Sequence, residues 1–258
     1  MNLSLYLDKG TRIHRLDART KIVWLLGLFV LSVMFSNPGI LFGLLVLVLG
    51  VTLMAQSLTN VRKIWVLLLL LFVYSMILWP FFVEGQTPFL EIGSHVITIE
   101  GVSHGLGMGL RLNVMLLSGI LLLSTTAIEE FTQGLHRLGV PQTMGFALSL
   151  AFRWVPTLLG SVSAVVQAQR ARGLDLPSGT MFSKLRQYPP LVVPLIGHTL
   201  RQTNLLAMAL ESKGFGPGRQ RRALSESRMT RFDYLALGIM IGLVSVSIWL
   251  RLNGYDTI

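Results

Sequence analysis

Two stretches of this 258-residue chain carry side chains spaced for recognition. Gln167-Ala168-Gln169-Arg170-Ala171-Arg172-Gly173-Leu174-Asp175 closes a long amphipathic segment that begins near Pro141, and Glu211-Ser212-Lys213-Gly214-Phe215-Gly216 closes a second. In each, a cation is followed by glycine. The last carbonyls of a helix carry partial negative charge that favours a cation, and glycine takes the left-handed conformation that ends a helix. On one helix this is ordinary capping. On two helices in the polar region of a membrane protein it gives two basic tips presented to a partner.

The remaining chemistry is sparse. The chain has no cysteine, so disulfides, thiolate metal sites and cysteine nucleophiles are excluded. His14, His95, His104, His136 and His198 are scattered without metal spacing. There is no Gly-x-x-x-x-Gly-Lys-Ser/Thr loop for ATP. Gly105-Leu106-Gly107-Met108-Gly109 sits against an apolar run and reads as small-residue helix packing. Arg111 lies inside that run, where a charge costs about 2.5–3.5 kcal/mol. It either snorkels to the outer surface or makes a buried structural pair. No residues support an enzymatic or cofactor-binding reading, so function has to come through partners.

The elements that position the tips follow from composition. Hydrophobic residues make up 52% and charged residues 13%, with mean hydropathy +0.63. Soluble domains carry about 25% charged residues, so the expectation is an all-α polytopic membrane protein. Residues 1–21 are a polar N-terminal segment, read as retained. Apolar runs span 22–35, 40–55, 64–83, 105–126 and 232–250. The first two are short of the roughly 20 residues that cross a bilayer and form a hairpin (22–55) through Ser36-Asn37-Pro38-Gly39, read as a tight turn. Lys and Arg crowd residues 1–21, 56–63 and 127–231, whereas 84–104 holds Glu84, Glu91 and Glu100 and no Lys or Arg. About five spans with the N-terminus in the cytoplasm satisfy the positive-inside rule, leaving the C-terminus outside.

On this reading 127–231 is a cytoplasmic coupling module and 232–258 a last span with an external tail. Leu148, Phe152, Val155, Leu159, Val162 and Val166 mark one apolar helical face, with Arg153 largely opposite. Leu195, Ile196, Leu200, Ala207 and Leu210 mark another. Pro156 and Pro194 are expected to kink these helices near their starts. A further transmembrane hairpin is the alternative, but its loop would carry Arg170, Arg172, Lys184 and Arg186 outside. The cluster Arg219-Gln220-Arg221-Arg222 with Arg228 and Arg231 reads as a retention signal touching anionic lipid, not as a nucleic-acid site.

Ala151-Phe152-Arg153-Trp154-Val155-Pro156-Thr157-Leu158-Leu159, continuing to Ala168-Gln169-Arg170-Ala171-Arg172-Gly173, resembles the transmembrane T component of energy-coupling factor (ECF) transporters. Leu16-Asp17-Ala18-Arg19-Thr20-Lys21, Ile99-Glu100-Gly101-Val102 with Arg111 and Thr125-Thr126, and Glu211-Ser212-Lys213-Gly214 extend the likeness over residues 16–216. The resemblance implies a non-catalytic scaffold of an ATP-driven importer of a vitamin or transition-metal ion in a prokaryotic cell membrane. Ala171, Arg172 and Gly173 would dock on one ATPase subunit and Ser212, Lys213 and Gly214 on the other, supported by Arg153, Pro156, Gln169, Arg170 and Glu211. The ATPases would bind ATP-Mg, and the apolar faces of the long crossing helices would hold a small membrane-embedded substrate-binding S component. Two positions depart from the family: Lys213 replaces the usual arginine, and Gly160-Ser161 stand where many relatives have an acid. An ordinary ABC permease is the runner-up, although its single coupling loop matches Ala168 and Gly173 only loosely. An ion-driven transporter would need paired acids or broken repeats in mid-membrane.

Overall fold

The computed structural model describes residues 9–11, 13–83, 87–92, 95–173, 189–215 and 229–253. Glu84, Leu174, Asp175, Lys184, Arg186, Gly216, the 219–222 cluster, Arg228 and the last five residues lie outside them. The helices are α1 (Ala18–Met34), α2 (Pro38–Met54), α3 (Leu58–Phe82), α4 (Ile99–Thr125), α5 (Ile128–Arg137), α6 (Gln142–Ala171), α7 (Pro189–Ser212) and α8 (Arg231–Leu252). Between α3 and α4, β1 (Pro88–Ile92) and β2 (His95–Thr98) pair antiparallel, a small hairpin that sequence did not anticipate.

The apolar runs become helices that extend past their apolar cores. α1 and α2 have 17 residues each, about 25 Å of helix against a hydrocarbon core of about 30 Å. Asp17 caps α1 by accepting from the Arg19 amide at 3.0 Å. Pro38 begins α2 at its first turn and Asn37 Oδ1 accepts from Gly39 N at 2.9 Å. The tight-turn reading of 36–39 is thus corrected: proline, lacking an N–H, starts the second helix, and Gly39 keeps ordinary helical φ. α3, α4, α8 and the Thr143–Ala171 stretch of α6 are long and apolar enough to cross a membrane. The mean hydropathy of α6, 1.3, is below the 2.3 of α3 and 2.0 of α8. Pro156 stands mid-helix, not near a start, because α6 begins at Gln142; Pro194 lies in the second turn of α7.

The chain forms two compact units, Met1–Gln142 with Ser227–Ile258, and Thr143–Glu226. The core of the first is built from Leu28, Leu31, Phe35, Leu41, Val48, Val114 and Met240. α5 belongs to this unit and packs on α1 through Gly134, which faces Ala18 and Ile22. Trp65, Leu70, Val73 and Ile77 of α3 point outward, as a lipid-facing surface requires.

The glycine-rich stretch of α4 is a packing seam. Gly101, Gly105 and Gly109, one turn apart, let α3 approach through Pro80, Ser75 and Phe72, and the Ser75 hydroxyl donates to Gly105 O at 3.0 Å. Gly107 faces the α1–α2 link, where a Cβ would stand 2.9 Å from the Ser36 carbonyl oxygen. Gly119 has nothing within 4 Å of such an atom. Gly107→Ala therefore lowers stability by about 1–3 kcal/mol. Gly119→Ala is neutral or stabilises by up to ~1 kcal/mol through helix propensity. Paired thermal melts of the solubilised chain check this; equal shifts would refute the seam.

Candidate functional site: two helix tips and a polar junction

The second tip is a closed helix end. Gly214 has φ +73°, its N–H donates to Glu211 O at 2.8 Å, and the Phe215 N–H donates to Leu210 O at 2.8 Å. These are the two bonds of the Schellman arrangement, and they leave Lys213 at the cap with its ammonium in solvent. The first tip shares the left-handed glycine and its bond: Gly173 has φ +88° and donates to Arg170 O at 3.0 Å, while Arg172 N donates to Gln169 O at 3.1 Å. Ala171, Arg172, Gly173, Ser212, Lys213 and Gly214 are all exposed. A substituent on Gly173 would meet nothing, so only its left-handed backbone calls for glycine there.

Within the second unit the tips are held apart. The Phe215 ring packs on Phe146 with centroids 4.4 Å apart and planes tilted by 36°. The second tip is therefore pinned beside the second turn of α6. Arg172 lies at the other end of that helix, about 39 Å away along its path at ~1.5 Å per residue. Arg153, Pro156, Arg170 and Glu211 are exposed and Gln169 is half-buried. Along α6, Arg153 stands about 10 Å from Phe146, where the second tip is pinned, and about 28 Å from Arg172. Phe152, Val155, Leu159 and Val162 on α6 and Val193, Ile196 and Leu200 on α7 are exposed apolar side chains.

The first unit gathers polar groups where the ends of α1, α4, α5 and α8 meet. Asp233 is fully buried, and its carboxylate accepts four hydrogen bonds. Oδ1 takes the Asp17 amide at 2.8 Å and the Thr20 hydroxyl at 3.0 Å; Oδ2 takes the Thr230 amide and hydroxyl, both at 2.7 Å. The Thr230 amide bond is one half of a capping box on α8, whose other half is the Thr230 side chain accepting from the Asp233 amide. Lys21 Nζ donates to His14 O and Thr125 O, both at 2.8 Å, tying α1 to the end of α4. Asp17 also lies 3.8 Å from Arg137 of α5 and from Arg19. Asn60 donates to the Ser124 hydroxyl at 2.8 Å.

Arg111 follows neither expected course. Its Nε donates to Ser32 O and its Nη2 to Phe35 O, each at 2.8 Å, and Nη1 meets Met108 Sδ at 3.1 Å. It supplies from α4 the cation that the last turn of α1 lacks.

Residues 9–224 match the family described as cobalt transport protein, CbiQ. A transmembrane protein EcfT of the energy-coupling factor transporter from Thermosediminibacter oceani is 32% identical over 95% of this chain and 96% of its own length. Proteins of the same description from Lacticaseibacillus paracasei, at 30% over 96% and 98%, and Brevibacillus brevis, at 27% over 95% and 96%, are similar along nearly their whole lengths. The chain belongs to the CbiQ/EcfT family.

As an EcfT-type protein it is a transmembrane component of an ECF transporter, works in a complex with other subunits, and is not itself catalytic. The family match contains both tips but ends before α8. Asp233, which locks α8 to α1, lies beyond it, and sequence reasoning passed over this residue. The available signal was local: Thr230 followed three residues later by Asp233, just ahead of an apolar run.

Proposed function

We infer that this EcfT-family chain is the coupling scaffold of an ATP-driven vitamin or transition-metal importer, linking two ATPase subunits to a membrane-embedded S component. The supporting observation is the pair of exposed cationic tips fixed at separate points along α6. In this reading the Arg172 tip docks on one ATPase and the Ser212–Gly214 tip on the other. A guanidinium at a helix end can pair bidentately with a carboxylate in a groove. Two separated contacts also raise the effective concentration of the second once the first has formed. The ATPases carry the ATP-Mg; this chain binds neither. The N-terminus and the tips face the cytoplasm of a prokaryotic cell. α6, despite its span-like length, lies at the interface with its Arg153 side toward water. The exposed apolar faces of α6 and α7 receive the S component.

Tagged purification from the native membrane tests the assembly. Two nucleotide-binding subunits and a small hydrophobic protein are the expected companions, and the small protein would reveal the solute. Recovery with a periplasmic binding protein would favour an ordinary ABC permease instead. The two tips differ in degree. Arg172→Ala lowers ATPase co-purification more than Lys213→Ala does, because an ammonium makes fewer geometrically fixed bonds than a guanidinium. The reverse order would make the second tip the dominant contact.

A further inference from the structure

A cavity of about 340 Å³ lies in the first unit, lined from α1, α2, α4 and α8. Small-molecule sites begin at about this size and occur between the helices of bundles. Leu28, Val48 and Leu122 line it as buried residues. Its other lining residues include Met54 from the end of α2 and Phe232, Leu235 and Ile239 from the start of α8, all exposed. It is thus a cleft that opens sideways, on a unit whose outer surface is apolar. A soluble ligand would have to cross lipid to reach it; an acyl chain is already there.

Of its polar lining residues Thr20, Lys21, Ser118 and Thr125, Lys21 alone carries a charge. Lys21, only 8% exposed, lines the cleft and commits two of its three N–H donors to carbonyls. Arg15 lies between the lining residues Ile13 and Leu16, and Arg231 precedes the lining residue Phe232. Both arginines are exposed, and among the described residues neither side chain makes a hydrogen bond or ion pair. An apolar cleft bordered by unpaired cations is complementary to a chain that ends in an anion.

We propose that this cleft binds one acyl chain of an anionic phospholipid from the cytoplasmic leaflet, with its phosphate held by Arg15, Arg231 and the free donor of Lys21. The proposal rests on the bilayer placement and the inward-facing N-terminus, not on the ATPase docking. A lipid seated here would bridge α2 and α8 above the polar junction.

Trp24 lines the cleft and reports directly. The full chain, with Trp65, Trp79, Trp154 and Trp249 changed to Phe, is placed in phosphatidylcholine vesicles containing a few per cent of bromine-labelled lipid. Brominated phosphatidylglycerol quenches Trp24 saturably, and more strongly than brominated phosphatidylcholine at equal mole fraction. Each of Arg15→Gln and Arg231→Gln lowers that preference by up to about fivefold, the weight of one cation near an anionic surface. Val51→Phe, grown into the cleft from the half-exposed flank of α2, abolishes the saturable component. Equal quenching by the two lipids, or saturable quenching that survives Val51→Phe, overturns the proposal. ATPase co-purification, measured on the same variants, reports on the coupling reading separately.

Discussion

Arg172→Glu yields a chain that inserts and purifies as before but no longer brings the ATPase subunits with it. Locally the change is mild. Arg172 is exposed at a helix end, and a carboxylate there costs about 0.3–1 kcal/mol against the helix dipole. The fold should tolerate this, because no described residue relies on the guanidinium. In a docking groove the same change replaces an attractive pair with a repulsive one, typically a loss of at least ~2 kcal/mol. That corresponds to about thirtyfold weaker association at one tip. The avidity of two tips is lost with it, so the expected readout is disappearance of the ATPases from the purified complex and of ATP-driven uptake. Transport at wild-type rate in Arg172→Glu would sink the docking assignment. A poorly expressed variant would be scored by comparing its melting curve with that of Arg172→Ala.

Asp233→Ala has the largest expected effect on stability. The carboxylate is completely buried and accepts from two backbone amides and two hydroxyls, supplied by three residues in two chain segments. Removing it leaves these donors without an acceptor, loses the cap of α8, and leaves Lys21 with less compensating negative charge nearby. Breaking a buried charged network by deleting one partner costs about 3–5 kcal/mol, a fall of about 10 °C or more in apparent melting temperature. Asp233→Asn should fall between, since the amide oxygen can replace Oδ1 while its NH₂ opposes the donors of Thr230. A melting temperature for Asp233→Ala within about 2 °C of wild type would show that the junction contributes little. The ATPase-binding tips should stay intact, which separates this variant from Arg172→Glu.

Much of the molecule is readable residue by residue. Long apolar runs and a charge distribution that empties one loop of cations identify a polytopic helical protein. The two tips were legible because they depend on nearest neighbours alone: Arg172-Gly173 and Lys213-Gly214 carry their own ending signals, and both glycines take positive φ. The Gly105–Gly109 seam was legible for a similar reason, since only small residues allow two helices to approach so closely. The β1–β2 hairpin was not legible, because it follows from pairing across the loop between α3 and α4.

Other features were decided by tertiary structure alone. Sequence reasoning passed over Asp233, whose Oδ1 is filled by Asp17 and Thr20, more than two hundred residues earlier in the chain. Arg111 looked like a charge seeking water or a carboxylate, yet it ends a different helix through the carbonyls of Ser32 and Phe35. The second tip signals its own end, but only the Phe146–Phe215 contact fixes it at the far end of α6 from Arg172. Helix periods, caps and spans are set by interactions within a few residues, where sequence order and spatial order coincide. The partner of a buried charge is set by which helix ends the packed core brings together, and linear spacing carries no record of that.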